Sequence, residues 1–109
     1  MKVAAYAGAA HMRLGHPKHA QAVLSRVVQA RPAPTKQTAL VLADLGAAYV
    51  QQRAIDEACQ QLRQALGIAV DKDSEKVRRR ILDVRRSLDS WRNTDPVRAL
   101  DRQLQAAWL

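Results

Sequence analysis

The sequence predicts an all-α protein, built as three antiparallel helical hairpins lying side by side. Three observations predict it. The chain repeats itself 38 residues apart: Ala7-Gly8-Ala9-Ala10-His11 returns as Leu45-Gly46-Ala47-Ala48-Tyr49, and Ala20, Leu24 and Val27 return as Ala58, Leu62 and Ala65. A fixed period of this size marks units that cannot bury their apolar faces alone and must stack. Hydrophobic residues make up 48% of the 109 residues but aromatics only 4%, with no Phe, so the core is Ala, Leu and Val, which suits close helix contact. Four Gly and four Pro punctuate the chain, and no β-branched alternation is sustained.

The elements follow in order. A first helix is expected over about residues 2–14, ended by Gly15, which tolerates the left-handed conformation of a helix stop. Pro17 opens a second helix, since the first helical position has no use for its N–H. Ala20, Leu24, Val27 and Val28 share one of its faces, and Pro32 ends it; Ala33-Pro34 is a stiff connector. Thr35 caps a third helix whose stripe is Leu42, Leu45 and Tyr49, extended by Ala39 and Ala43. A soft break at Gln51-Gln52-Arg53 leads to a fourth helix, with Asp56 and Glu57 where the macrodipole favours negative charge. Its apolar face is Ile55, Ala58, Leu62, Ala65, Leu66 and Ala69.

Asp71-Lys72-Asp73-Ser74 is a polar break, with Asp73 or Ser74 as the next cap. The fifth helix carries Val77, Ile81, Val84, Leu88 and Trp91 in steps of four, three, four and three, one continuous apolar seam. Asn93-Thr94-Asp95-Pro96 stops it and starts the sixth, which offers Val97, Leu100, Leu104 and Ala107 or Trp108. The chain is therefore expected to form one domain of three units, about residues 1–34, 35–72 and 73–109.

The central unit, Leu42-x2-Leu45-Gly46-x2-Tyr49 followed by Ala58, Leu62 and Ala65, resembles the tetratricopeptide repeat. The spacing has a physical sense. Gly46 and Ala58 let the two helices of a pair approach, while Tyr49, Leu62 and Ala65 fill the space against neighbouring pairs. The first unit matches through Ala4, Ala7, Gly8, His11, Ala20, Leu24, Val27 and Pro32; the central unit has Val70 in place of the closing proline. The third unit keeps the hairpin but not the Leu-Gly-Tyr signature, as a terminal cap would. The order of motifs, closing on Pro96-Val97-Arg98-Ala99-Leu100-Asp101-x2-Leu104, also resembles the C-terminal repeat region of actinobacterial helix-turn-helix transcriptional regulators. The resemblance implies a right-handed solenoid and a sensor or interaction part, truncated or encoded alone, because no helix-turn-helix is present. The apolar stripe beginning at Val3 fits an open end needing an upstream domain or a second copy of the chain.

By the same resemblance, the first helix of each pair lines a concave groove. The lining positions are Ala5, Ala9, Met12 and Arg13 in the first unit, and Leu40, Ala43, Ala47, Val50 and Gln51 in the second. Such a surface is small and apolar, fitted to an amphipathic helix or apolar peptide. Its bland alternative is that these alanines pack on neighbouring helices. The carboxylate clamp used by some members is missing, since Ala5, Ala9 and Asp44 stand in its places.

Formal charge is +8 and the pI about 10.6, which attracts anionic partners. The charge is spread, net +5 over residues 1–70 and +3 over 71–109. Arg78, Arg79, Arg85 and Arg86, with Arg80, form the most basic segment and offer a possible anion contact. Against it stands a solvated helix face with internal pairs such as Glu75–Arg79, and no stacking aromatics accompany the arginines. His11, His16 and His19 lack a fourth ligand at metal spacing, so no metal or other cofactor is expected. Cys59 is the sole cysteine, which fits a reducing cytoplasm and an inert thiol. No phosphate-cradling loop or serine elbow is present, so no enzyme is expected. No apolar run nears the ~20 residues of a membrane span, and the stretch before Ala7-Gly8-Ala9 is too short for a signal core. The expected function is a cytoplasmic protein- or peptide-binding regulatory module, forming a homodimer and meeting nucleic acid only through an attached domain. The alternatives are direct nucleic-acid binding through the fifth helix and a purely structural dimerisation unit.

Overall fold

The structure, a computed structural model, describes residues 17–30 and 35–108. The expected first helix, with Gly8 and its repeat partner role, lies outside the described residues. The described residues form five α-helices, α1 Pro17–Ala30, α2 Lys36–Gln51, α3 Ile55–Lys72, α4 Glu75–Arg86 and α5 Asp95–Trp108, with a 3-10 turn at Asp89–Trp91 before α5. There is no strand among the described residues.

The helix boundaries have local causes. Thr35 stands at the N-cap of α2, its Oγ1 accepting a hydrogen bond from the Thr38 N–H at 3.1 Å. The soft break is a tight link. Arg53 takes the left-handed conformation at φ 60°, and the Ala54 N–H returns to the Tyr49 carbonyl at 2.9 Å. Ala54 has no side chain with which to cap α3, so Asp56 and Glu57 supply the favourable charge of its first turn. The polar break divides its work between two residues: Asp73 ends α3 at φ 49°, and Ser74 caps α4, its Oγ accepting from the Val77 N–H at 3.4 Å.

The apolar seam expected to run unbroken to Trp91 does not stay α-helical. Helix α4 stops at Arg86, where the Ser87 hydroxyl donates to the Val84 carbonyl at 2.5 Å. Leu88 remains fully buried, carried by the turn rather than the helix, and Trp91 is only partly covered. The Thr94 hydroxyl then donates to the Trp91 carbonyl at 2.7 Å, and its own carbonyl receives the Arg98 N–H at 3.0 Å, the first helical bond of α5.

Packing is organised around α2, which has two apolar faces. One joins Val41, Leu45 and Ala48 to Ala20 and Leu24 of α1, with Tyr49 at the edge. The other joins Ala39, Leu42 and Ala43 to the larger core of α3, α4 and α5. A helix apolar nearly all round must be covered nearly all round, and α2 accordingly packs against α1, α3 and α4, while α3 packs against α4 and α5 as well. Gly46 stands where α2 and α3 cross. A Cβ there would meet Leu62 Cγ at 3.2 Å and the Ala58 carbonyl oxygen at 3.3 Å, tighter than ordinary contact, so the missing side chain favours the close approach. A polar latch closes the α1–α2 contact: Gln21 donates to the Tyr49 hydroxyl at 3.3 Å, and Gln52 donates to Gln21 Oε1 at 2.6 Å.

The C-terminal pair departs from the expected third hairpin. Helices α4 and α5 both rest on α3 but do not pack closely on each other. No small residue marks a crossing between them. Leu82 and Arg85 of α4 face Asp101 and Leu104 of α5 across a cleft, and bulk at these positions keeps the backbones apart.

Candidate functional site

Two surfaces come out of this arrangement. On one side α2 and α4 stand next to each other. Leu40, Ala47 and Val50 recur at helical spacing along α2 and are half-buried at the edge of the core. Leu40 forms one wall of an open cleft of about 460 Å³, whose other wall is Glu75, Lys76, Arg79, Arg80 and Asp83 of α4. Arg80 spans it, its Nε donating to Asp44 Oδ1 at 2.6 Å.

The expected groove residues divide accordingly. Leu40, Ala47 and Val50 keep accessible surface, and Gln51 is exposed at the end of α2. Ala43 corrects the expectation: it is fully buried in the core that α2 shares with α3, α4 and α5, and it offers a partner nothing. Ala5, Ala9, Met12 and Arg13 lie outside the described residues.

On the other side, α4 and α5 enclose a cleft of about 430 Å³. Leu82, Leu104 and Trp108 supply its apolar surface, with Leu104 the most deeply buried. The Arg78 guanidinium stacks over the Trp108 ring, 5.6 Å from its centroid. Arg85 grips Asp101 with two parallel bonds, Nε to Oδ1 at 2.5 Å and Nη2 to Oδ2 at 2.9 Å, and reaches Asp89 at 2.7 Å. Those charge-assisted bonds push its pKa further up, above an already basic value, against the opposing effect of burial.

The four arginines expected to contact anions thus have different standings. Arg85 is 15% exposed and committed to two carboxylates, so it is a strut between α4 and α5. Arg86 pairs with Asp83, and Arg78 and Arg79 share the single carboxylate of Glu75 at 3.3 and 3.5 Å. These pairs sit on exposed surface, where each contributes little. The sequence already offered Glu75–Arg79 as an internal pair. It did not reveal Arg80–Asp44 or Arg85–Asp101, which join residues 36 and 16 apart. Leu82 and Trp108 were also missed as a surface. The available signal was the step of four that puts Arg78, Leu82 and Arg86 on one face of α4.

Cys59 is 2% exposed, and its thiol is pushed up to about 11, by burial first and by nearby Asp56 second. A thiol held protonated at neutral pH is a poor nucleophile and a poor ligand. Among the described residues no group of three His, Cys, Asp or Glu could hold a metal ion, and His11 and His16 lie outside them. No helix among the described residues is long and apolar enough to cross a membrane. Compared with protein-family models, with curated proteins and with solved structures, the chain matches none.

Proposed function

We propose that this chain is a protein- or peptide-binding regulatory module, built as a tetratricopeptide-like solenoid of three helical units. In this reading it is the cytoplasmic sensor or oligomerisation part of a bacterial transcriptional regulator, meeting DNA only through an attached domain. The observation that carries the reading is the cleft between α2 and α4, walled on the α2 side by Leu40, with Ala47 and Val50 of the same helix also keeping accessible surface. The order of packing supports it. Helix α2 touches the helix before it, its own hairpin partner α3 and then α4, as stacked hairpins require. The glycine crossing at Gly46 supports the same unit.

Regulation would work by differential binding. A partner that prefers one spacing of α2 and α4 shifts the population of that spacing, and can do so only by as much as its affinities for the two states differ. Direct nucleic-acid binding is the weaker reading, because Arg80 and Arg85 are committed to Asp44 and Asp101, which leaves Arg78, Arg79 and Arg86 in exposed pairs as a short basic footprint for a phosphate backbone.

The test is selection of an unbiased peptide-display library on the full chain and on its Ala47→Glu and Leu40→Glu variants. Peptides that enrich on the parent and are lost on both variants support the groove. A chain that enriches no peptide but binds random duplex DNA, with affinity falling steeply as salt rises, overturns it. Sedimentation of the parent chain and a Trp108 variant separates the dimerisation alternative.

A further inference from the structure

We propose that the cleft between α4 and α5 is a docking site for an acidic amphipathic helix of a partner protein. This goes beyond the α2–α4 groove and does not rest on it, for the two clefts lie on opposite flanks of α4. The first ground is shape. Helix α4 itself seats against both α2 and α3. One step further along the stack, α4 and α5, which both pack on α3, present a trough between them in which no described helix lies. At about 430 Å³ it is large enough to receive the side chains of one helical face.

The second ground is chemistry. On α4 the trough is lined by Arg85, held by Asp101 and Asp89, and by Arg78, Leu82 and Arg86, a cation on either side of an apolar residue at steps of four. Eight residues of helix rise roughly 12 Å, so the two guanidiniums stand about two turns apart. Leu82, Leu104 and Trp108 form the apolar strip between them. A helix presenting apolar residues flanked by carboxylates two turns apart is complementary to both features.

The third ground is weakly paired charge. Helix α4 carries six Lys/Arg against two Asp/Glu. Arg78 shares Glu75 with Arg79, and the Asp83 beside Arg86 is itself more than half exposed. Carboxylates from a partner would replace weak, solvated pairs. The acidic residues on the trough, Asp89 and Asp101, are already occupied by Arg85 and so repel an anionic partner little. A basic helix finds no free carboxylate of this kind. A phosphate chain would satisfy the arginines but leave the apolar strip uncovered.

A helical display library with a fixed leucine face and randomised flanking positions tests the proposal on the full chain. Selected peptides should carry Asp or Glu about two turns apart and change the fluorescence of Trp108. Binding should weaken roughly tenfold or more on Leu82→Glu and on the double charge reversal Arg78→Glu with Arg86→Glu. It should return when the peptide's acids are exchanged for lysines on the double variant, and it should be indifferent to Ala47→Glu. The Arg86 side chain is 74% exposed, so Arg86→Glu alone preserves folding, which a thermal melt checks. Several outcomes overturn the proposal: no enrichment, enrichment without acidic residues, binding insensitive to Leu82→Glu and the reversals, or displacement by random duplex DNA. Peptides lost on Ala47→Glu but kept on Leu82→Glu would belong to the other groove and would refute this one.

Discussion

The α2–α3 crossing makes a paired prediction from two glycines in helix interiors. Gly67 lies on the exposed side of α3, and a Cβ built there meets nothing within 4 Å. Gly67→Ala therefore collects the full helix-propensity gain of about 1 kcal/mol. On a domain of this size that raises Tm by roughly 4–8 °C. Gly46→Ala collects the same gain but adds a methyl against Leu62 Cγ at 3.2 Å, the Ala58 carbonyl oxygen at 3.3 Å and Leu62 Cδ2 at 3.4 Å. Ordinary carbon contacts begin near 3.5 Å. Leu62 is fully buried and has nowhere to swing, so the helices must part slightly. Overpacking of this kind costs about 1–3 kcal/mol. The net for Gly46→Ala is then from about zero to 2 kcal/mol destabilising, and the two variants should differ by about 1–3 kcal/mol. Urea and thermal unfolding of both variants, followed by circular dichroism, measure the difference. If Gly46→Ala is stabilised as much as Gly67→Ala, the helices do not meet at residue 46 and the packing of the central unit is wrong.

Three further outcomes are expected. Arg53 holds a left-handed conformation that glycine adopts freely, so Arg53→Gly should stabilise by about 0.5–1 kcal/mol, whereas an unchanged or lower Tm would count against the tight α2–α3 link. Asp101→Ala removes the two-pronged partner of Arg85; stability should fall by about 1.5–3 kcal/mol in denaturant titration, while Asp71→Ala, whose pair with Lys72 is exposed, should change little. The folded Cys59 thiol titrates near 11 against an ordinary 9.0, so above pH 9 the unfolded chain loses that proton first. Stability should accordingly decline as pH rises from about 9 to 11 more steeply in the parent than in Cys59→Ala, and iodoacetamide should label Cys59 only on unfolding; rapid labelling at neutral pH would contradict its burial.

Much of the local structure was legible in the sequence. Thr35, Ser74 and Pro96 mark helix starts through side-chain or backbone chemistry that acts within four residues. The Leu45-Gly46-x2-Tyr49 spacing located a close α2–α3 crossing at Gly46, where an added Cβ would crowd Leu62 and the Ala58 carbonyl. Less was legible where a residue's fate depends on what lies across from it. The steps through Val77, Ile81, Val84, Leu88 and Trp91 read as one helix, yet a helix and a following turn can bury the same apolar residues, and the pattern does not distinguish them. Ala43 and Ala47 are the same residue type one turn apart on α2, but only Ala43 is wholly covered.

By itself the sequence determined the helical class, most of the breaks and the apolar faces of the described helices, since periodicity and capping are properties of neighbouring residues. Only the tertiary structure decided that a cleft lies on each flank of α4, one shared with α2 and one with α5. It also decided that Arg85 is a strut to Asp101 while Arg78 and Arg86 flank an apolar cleft. The reason is physical: a charge is neutralised, and an apolar side chain covered, by whatever the fold brings within a few ångströms, and those partners are drawn from distant parts of the chain.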